Sequence, residues 1–186
     1  MPRLGIRVLG DPVLRQETVP VAQVTPELLQ LIDDMFETMH AAKGVGLAAP
    51  QVGRMERVAI VEVEGAAHVL INPEIVEHEG TIKWEEGCLS IPEIYGDVMR
   101  SARVVVRATG RDGQTVELEG TELFGVAMQH EIDHLHGKLF IDHLSFLKRQ
   151  KALALWDKEK GNYPGLVRFV SPDDADDDPE HDDERM

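Results

Sequence analysis

The sequence contains one cysteine, few aromatic residues and a small share of positive charge. Cys88 is the only cysteine, so the chain cannot form an internal disulfide. Aspartate and glutamate number 34 against 19 lysines and arginines, and the net charge of −15 argues against binding DNA through the charge of the whole surface. No run approaches the roughly 20 consecutive apolar residues of a membrane-spanning helix. We therefore expect neither a DNA partner nor a membrane partner.

The amino terminus also lacks an apolar stretch followed by small residues. Met1-Pro2-Arg3-Leu4-Gly5 therefore does not resemble a secretory signal. An unpaired thiol is also better suited to a reducing compartment than to the outside of a cell. Both features predict a cytoplasmic location.

The size and composition of the chain predict one domain followed by an acidic tail. A length of 186 residues with 42% hydrophobic residues is typical of a single globular domain, which we expect over residues 1–170. Residues 171–186 contain seven aspartates and two glutamates against one arginine. Such a segment cannot bury enough apolar surface to fold, so we predict a disordered, solvated tail.

Three helices are predicted from the periodicity of the sequence. Thr25-Pro26-Glu27 is typical of a helix start, with a capping threonine, a proline in the first turn and an early acidic residue. Apolar residues then recur at intervals of three and four positions, which indicates one buried helical face. The helices are predicted at residues 25–43, 121–136 and 145–160.

Short strands are predicted between the first two helices. They form two hairpins, and each hairpin has a glycine-containing turn. Their strands are residues 57–63 with 68–71, and residues 103–108 with 115–119. Strands in the middle of the chain, with helices before and after them, indicate an α+β fold. We expect antiparallel strands packed around the second helix.

The second predicted helix carries a pattern typical of metal-dependent hydrolases. His130-Glu131-Ile132-Asp133-His134 places two histidines four residues apart, so that both imidazoles can reach one metal ion. Glu131 is then close enough to take a proton from water at that ion. Apolar residues on both sides of the pattern predict buried surroundings, in which ionisable side chains need partners. We therefore predict a metal site on this helix.

The histidine-glutamate pattern alone does not identify the third metal ligand. A metzincin protease would have a histidine where this chain has Phe140, and phenylalanine cannot bind a metal. A thermolysin-like protease would use a later glutamate, and Glu159 has a suitable spacing but lies in a polar helix end. A thiolate binds zinc and iron well, which makes Cys88 the natural candidate.

Three segments resemble motifs of the peptide deformylase family, in the order and with the spacing found in that family. Gly44-Val45-Gly46-Leu47-Ala48-Ala49-Pro50-Gln51 resembles G-x-G-x-A-A-x-Q. Glu86-Gly87-Cys88-Leu89-Ser90 resembles E-G-C-L-S, and Gln129–His134 resembles Q-H-E-x-x-H. The resemblance spans about residues 5–160. It implies a hydrolase that removes the N-formyl group from the formyl-methionine of newly synthesised proteins.

The resemblance implies a metal-binding role for three residues. Cys88, His130 and His134 would hold one divalent ion and leave a fourth position open for water. Enzymes that this chain resembles typically use ferrous iron. The same donors also accept zinc or nickel, so we expect iron first and the other two as alternatives.

The resemblance also assigns catalytic roles. Glu131 would act as the general base and then as the acid that protonates the leaving amine. The Gln51 side-chain amide and the Leu89 backbone N–H would donate hydrogen bonds to the developing negative charge on the formyl oxygen.

The peptide would bind beside the glycine motif. Gly44 and Gly46 flank Val45, and two positions without a Cβ atom would let a peptide lie alongside as an added strand. Val126 and Ala127, one turn before the first metal-binding histidine, are our candidates for the apolar pocket of the formyl-methionine side chain.

The expected partners are formyl-methionyl nascent peptides and the ribosome. Related bacterial enzymes contact the ribosome through the C-terminal helix, and the last predicted helix carries a basic set that suits RNA phosphates: Lys148, Arg149, Lys151, Lys158 and Lys160. Tyr95 and Arg100 follow the cysteine motif, and we expect them at the rim of the site. The chain is expected to be a monomer.

Two other functions fit parts of the sequence. A zinc endopeptidase would share the histidine-glutamate pattern, but its third ligand is missing at Phe140 and it would cleave unformylated peptides. A non-catalytic metal-binding protein would close the fourth position with a protein side chain and would have no use for Glu131 or Gln51. A deformylase is the function that the sequence predicts.

Overall fold

The computed structural model describes residues 3–171 of the chain. The α-helices are α1 (Pro26–Ala41), α2 (Glu122–Leu135) and α3 (Phe146–Glu159). The strands are β1 (Ile6–Arg7), β2 (Gly46–Ala48), β3 (Val58–Val63), β4 (Ala66–Glu79), β5 (Ile82–Cys88), β6 (Ile91–Arg100), β7 (Arg103–Thr109), β8 (Thr115–Thr121) and β9 (Val167–Arg168). The predicted acidic tail lies outside the described residues, apart from Ser171.

All the strand pairs of the three sheets are antiparallel, and the α+β prediction is confirmed. The largest sheet has the order β2-β3-β4-β7-β8, while β5 pairs with β6 and β1 pairs with β9. The two predicted hairpins are β3–β4 and β7–β8. β4 extends well beyond the predicted residues 68–71, because its second half leaves β3 and pairs with β7.

The β5–β6 hairpin was not predicted from the sequence. β5 mixes charged residues with Gly87, and no Asn-Gly or Asp-Gly pair marks the connection at Leu89-Ser90. The strands are nevertheless paired from Ile82 opposite Arg100 to Cys88 opposite Ile91. This pairing places Cys88 at the end of β5.

The helices α1 and α2 form as the sequence predicts. Thr25 caps α1, since its hydroxyl accepts a hydrogen bond from the Leu28 backbone N–H at 3.2 Å. Leu28, Met35 and Met39 lie on the buried face of α1. α2 packs against β2, β3, β7 and β8, and it is buried from Gly125 to Ile132. The strands therefore enclose the helix that carries the metal-binding pattern.

The helix α3 is attached through few residues. Trp156 is buried, and its indole N–H donates to the Leu9 carbonyl at 3.0 Å. Phe146 and Leu147, at the start of α3, are 68% and 78% exposed. Within residues 3–171, no helix has both the length and the apolar character needed to cross a membrane.

The Thr25 cap generates a stability prediction. Thr25→Ala removes the side-chain acceptor and should lower the free energy of unfolding by about 1 kcal/mol, whereas Thr25→Ser keeps the hydroxyl and should stay close to the wild type. Urea unfolding followed by circular dichroism measures both variants. Equal losses for alanine and serine would show that the hydroxyl is not what stabilises this helix start.

Candidate metal centre

The helix α2 and the end of β5 bring three metal-binding side chains together. The Nε2 atoms of His130 and His134 are 3.2 Å apart, and the Cys88 sulfur lies 3.4 Å from His134 Nε2. One donor atom from each residue lies within 4.8 Å of the others, and all three side chains are buried. A thiolate and two imidazoles at this spacing suit a divalent transition-metal ion.

A carboxylate orients His130 toward such an ion, and His134 is kept neutral. Glu86 Oε1 lies 2.8 Å from His130 Nδ1, so the carboxylate can accept the Nδ1 proton while Nε2 faces the other donors. Burial and the neighbouring His130 lower the pKa of His134 well below its usual value. A neutral imidazole has a free lone pair, and metal binding requires one.

A buried ion-pair network stands behind His130. Arg100 donates to both carboxylate oxygens of Glu86, at 2.7 Å and 2.9 Å, and through Nη1 to Asp133 Oδ2 at 2.6 Å. Asp133 Oδ2 also lies 2.8 Å from His143 Nε2. Burial alone would raise the pKa of Glu86, but the hydrogen bonds from Arg100 and His130 outweigh it and lower the pKa to about 2. Glu86 is therefore a permanently charged acceptor for His130.

This network corrects one expectation from the sequence and adds residues that it missed. Arg100 was expected at the rim of the site, but its side chain is only 4% exposed, because it neutralises Glu86 and Asp133 in the interior. Tyr95 is 41% exposed and lines a recess with Cys88 and Leu89, which agrees with a rim position. No local sequence pattern indicated this network, because Glu86 and Arg100 are 14 residues apart and meet only when β5 pairs with β6.

Glu131 differs from Glu86 in having no polar partner. Both of its carboxylate oxygens are buried without a hydrogen bond to any residue in the described part of the chain. Burial, together with the negative charges of Glu86 and Asp133, raises the pKa of Glu131 to about 7 despite the opposing effect of His130. A carboxyl group with a pKa near neutrality can both accept and return a proton.

The Gln51 side-chain amide is directed toward the metal-binding candidate Cys88. It lies in a 3-10 turn, Ala49–Val52, directly after β2, and its Oε1 accepts from the Ala48 backbone N–H at 2.9 Å. Its Nε2 is therefore turned toward the site, 3.6 Å from the Cys88 sulfur and 3.1 Å from the Ser90 hydroxyl. Leu89 follows Cys88 directly, and its side chain is buried.

The residues predicted to bind the peptide lie at the edge strand β2 and in the buried part of α2. Gly44 precedes β2, which is the outermost strand on one side of the five-stranded sheet. A Cβ atom at Gly44 would lie 2.6 Å from Leu89 Cδ1, so this glycine makes room for Leu89. Val126 and Ala127 have no exposed surface and belong to an apolar cluster against which Val45 packs.

Comparison with known proteins identifies the family that this arrangement resembles. The family model described as Polypeptide deformylase matches residues 4–150. A peptide deformylase from Hydrogenovibrio crunogenus is 51% identical over 162 residues, which cover 86% of this chain and 96% of that protein. A peptide deformylase from Heliobacterium modesticaldum is 55% identical over 136 residues, covering 73% and 90%.

Solved structures agree with the sequence relatives. The crystal structure of a peptide deformylase from Legionella pneumophila superposes with a TM-score of 0.84 at 44% identity, covering 87% of this chain and 97% of that one. A peptide deformylase from Synechococcus elongatus, solved in complex with actinonin, gives a TM-score of 0.80 at 40% identity, covering 91% and 92%.

The ion-pair network leads to a prediction about stability. Arg100→Ala leaves Glu86 and Asp133 buried without their shared cation, which should cost about 3–5 kcal/mol of unfolding free energy. Arg103→Ala is the matched control, because Arg103 pairs with Glu77 and Glu119 at the exposed surface, and its loss should change stability far less. Urea unfolding measures the free energy of unfolding of both variants. Similar losses of stability in the two would show that the buried network contributes no more than an exposed ion pair.

Proposed function

The chain belongs to the peptide deformylase family, and from that premise we propose which of its residues carry out each part of the reaction. It is a metal-dependent hydrolase that removes the N-formyl group from newly synthesised peptides. One arrangement supports the residue assignment: Cys88, His130 and His134 meet in the interior. The buried carboxyl group of Glu131, next to His130 in the sequence, has no hydrogen-bond partner among the described residues.

We propose that Cys88, His130 and His134 hold the metal ion, with ferrous iron preferred to zinc or nickel. The buried thiol and the two imidazoles form a donor set that suits all three metals. When bound, a divalent ion polarises the formyl carbonyl and lowers the pKa of water. The bond between Glu86 and His130 supports this arrangement, because a charged carboxylate on Nδ1 fixes the orientation of the imidazole and makes Nε2 a better ligand.

Glu131 moves the proton in our proposal. Its carboxylate takes a proton from a water molecule, whose oxygen forms a bond to the formyl carbon. The same carboxyl group then gives the proton to the amide nitrogen as the carbon–nitrogen bond breaks. The products are formate and a free amino terminus. The raised pKa of Glu131, about 7, supports both transfers near neutral pH.

Gln51 and Leu89 stabilise the negative charge that develops on the formyl oxygen. The Gln51 amide is fixed through its own oxygen by the Ala48 backbone, which supports a preorganised donor that need not rotate during the reaction. The Leu89 backbone N–H would be the second donor. Leu89 itself is held by packing against Gly44.

The peptide binds along β2 in this proposal. β2 pairs with β3 on one side only, so its other edge can accept an added strand at Val45 and Gly46. The formyl-methionine side chain would pack on the half-buried Val45, and Val126 and Ala127 lie behind Val45 in the same apolar cluster. All these groups come from one chain, which supports a monomer as the active form. Action on nascent chains supports a cytoplasmic location.

We also propose that α3 contacts the ribosome. Within residues 3–171, no ion pair is formed by Lys148, Lys151 or Lys158, whereas Lys160 pairs with Asp157. The three free lysines share α3 with the exposed Phe146, so cationic and apolar surface lie on one element. Such a surface suits RNA phosphates together with a protein or base contact.

The reaction is tested by formate release. The anaerobically purified, iron-loaded protein should hydrolyse formyl-Met-Ala-Ser, and Glu131→Ala should lose at least about 100-fold in kcat while still binding the metal. Cys88→Ser should instead lose the metal itself. Metal analysis of each variant separates the two causes.

The alternatives give different results in the same assay. Cleavage of unformylated peptides at internal bonds, without formate release, would support a zinc endopeptidase. An iron-loaded wild type that attacks neither substrate would support a non-catalytic metal-binding protein. Full activity of metal-loaded Glu131→Ala would show that another group moves the proton.

The ribosome contact is tested by reversing charge on α3. Lys148→Glu combined with Lys151→Glu should weaken co-sedimentation with ribosomes at low salt, and the difference from the wild type should shrink as salt rises. Lys83→Glu combined with Lys138→Glu makes the same change in net charge elsewhere. Equal weakening by both pairs would indicate a general effect of charge rather than a contact through α3.

A further inference from the structure

The backbone of β2 lies directly against the side chain of Glu131. A Cβ atom built on Gly46 would lie 2.5 Å from Glu131 Oε1 and 2.9 Å from both Cγ and Cδ. Packed atoms do not approach so closely without displacement, so the Glu131 side chain occupies space that any other residue at position 46 would fill.

The conformation of Gly46 does not itself require glycine. Gly46 lies in the extended strand β2 and is not among the glycines with positive φ. Alanine would therefore suit its backbone. The need for glycine at this position comes from the space that Glu131 takes up.

The β2 side of this contact is held by strand pairing, whereas the Glu131 carboxylate is held only by packing. Gly46 is paired with Val61 and Leu47 with Ile60 across the sheet, and Leu47 has no exposed surface. Glu131 belongs to the buried part of α2, which packs against β2. Its carboxylate has no hydrogen bond to any described residue, so packing alone determines where it lies.

We propose that Gly46 is a positioning residue for Glu131: the missing side chain at position 46 sets the place of the carboxylate that moves the proton. The inference rests on the proposed role of Glu131. It differs from the peptide-binding role expected for Gly46, because it predicts an effect on the chemical step rather than on substrate affinity.

The test begins with Gly46→Ala. The methyl group displaces the Glu131 carboxylate, and a shift of about 1 Å at a reacting group costs on the order of 100-fold in rate. We therefore expect kcat to fall by about 100-fold while KM and metal content stay within about twofold of the wild type. An unchanged kcat with a raised KM would overturn the proposal in favour of peptide binding.

Gly5→Ala is the matched control for crowding. A Cβ atom at Gly5 would lie 2.6 Å from Val167 Cγ1, which is similar crowding outside the metal centre. This variant should keep the kcat of the wild type. A comparable fall in kcat for Gly5→Ala would mean that crowding anywhere in the domain impairs the enzyme, and it would overturn the proposal.

The decisive comparison is a cycle with Glu131→Ala. In the Glu131→Ala background the space beside Gly46 is empty. Adding Gly46→Ala should therefore change neither the residual rate nor the urea midpoint of the metal-free protein. The same substitution lowers kcat when Glu131 is present. If Gly46→Ala alone does not fold, the double variant should fold. A double variant that is also unfolded, or slower than Glu131→Ala alone, would overturn the proposal.

The cycle also separates this inference from the reaction assignment. If metal-loaded Glu131→Ala is fully active, the proposed role of Glu131 fails. If Glu131→Ala is inactive and Gly46→Ala has the kcat of the wild type, only the positioning role of Gly46 fails.

Discussion

The buried pair of Arg100 and Glu86 lies within the β5–β6 hairpin and connects this hairpin to α2 through Asp133 and His130, and the arrangement of the three metal-binding candidates depends on it. Glu86 accepts from the guanidinium on one side and faces His130 Nδ1 on the other. Arg100 also reaches Asp133 on α2, one position before His134. Charges taken out of water are stable only when their hydrogen bonds are satisfied, and a forked guanidinium satisfies two carboxylates at once. One side chain thus fixes the helix to the hairpin that carries Cys88.

The distribution of charge around this contact also explains why the interior suits a cation. Arg100 is already shared between Glu86 and Asp133, while the Cys88 sulfur and Glu131 are buried nearby. Ionisation of Glu131 in this interior is costly unless positive charge lies close to it. A divalent ion held by Cys88 and the two histidines would lower that cost. The dependence of the family on a metal is therefore consistent with the electrostatics of these residues.

The sequence predicted the parts of the site that depend on short spacing and missed those that depend on the tertiary fold. His130 and His134 are four residues apart, so the helix alone brings them together, and the strands and helices with strong periodicity were predicted correctly. Glu86 and Arg100 are 14 residues apart and meet across a hairpin that has no marked turn signal. Arg100 was accordingly expected at the surface. No local pattern indicates that a charged residue will be paired in the interior.

The glycine motif is a second case in which contacts of the tertiary fold were not predicted from the sequence. Its backbone lies beside Leu89 and Glu131, but no sequence pattern connects Gly44 with Leu89 or Gly46 with Glu131. Those contacts exist because β2 crosses both the Cys88 turn and α2. The family resemblance indicated that the glycine motif belongs to the site. The packing explains why positions 44 and 46 have no side chain.

Two buried glutamates close to one metal centre have opposite properties, and their partners explain the difference. Glu86 receives hydrogen bonds from Arg100 and His130, and its pKa falls to about 2. Glu131 receives none from the described residues, and its pKa rises to about 7. A carboxylate that must orient a ligand should never take up a proton, whereas one that must carry a proton has to exchange it near neutral pH. The fold achieves this division by directing donors of Arg100 and His130 to Glu86, whereas Glu131 receives no hydrogen bond from the described residues and lies against the backbone of Gly46.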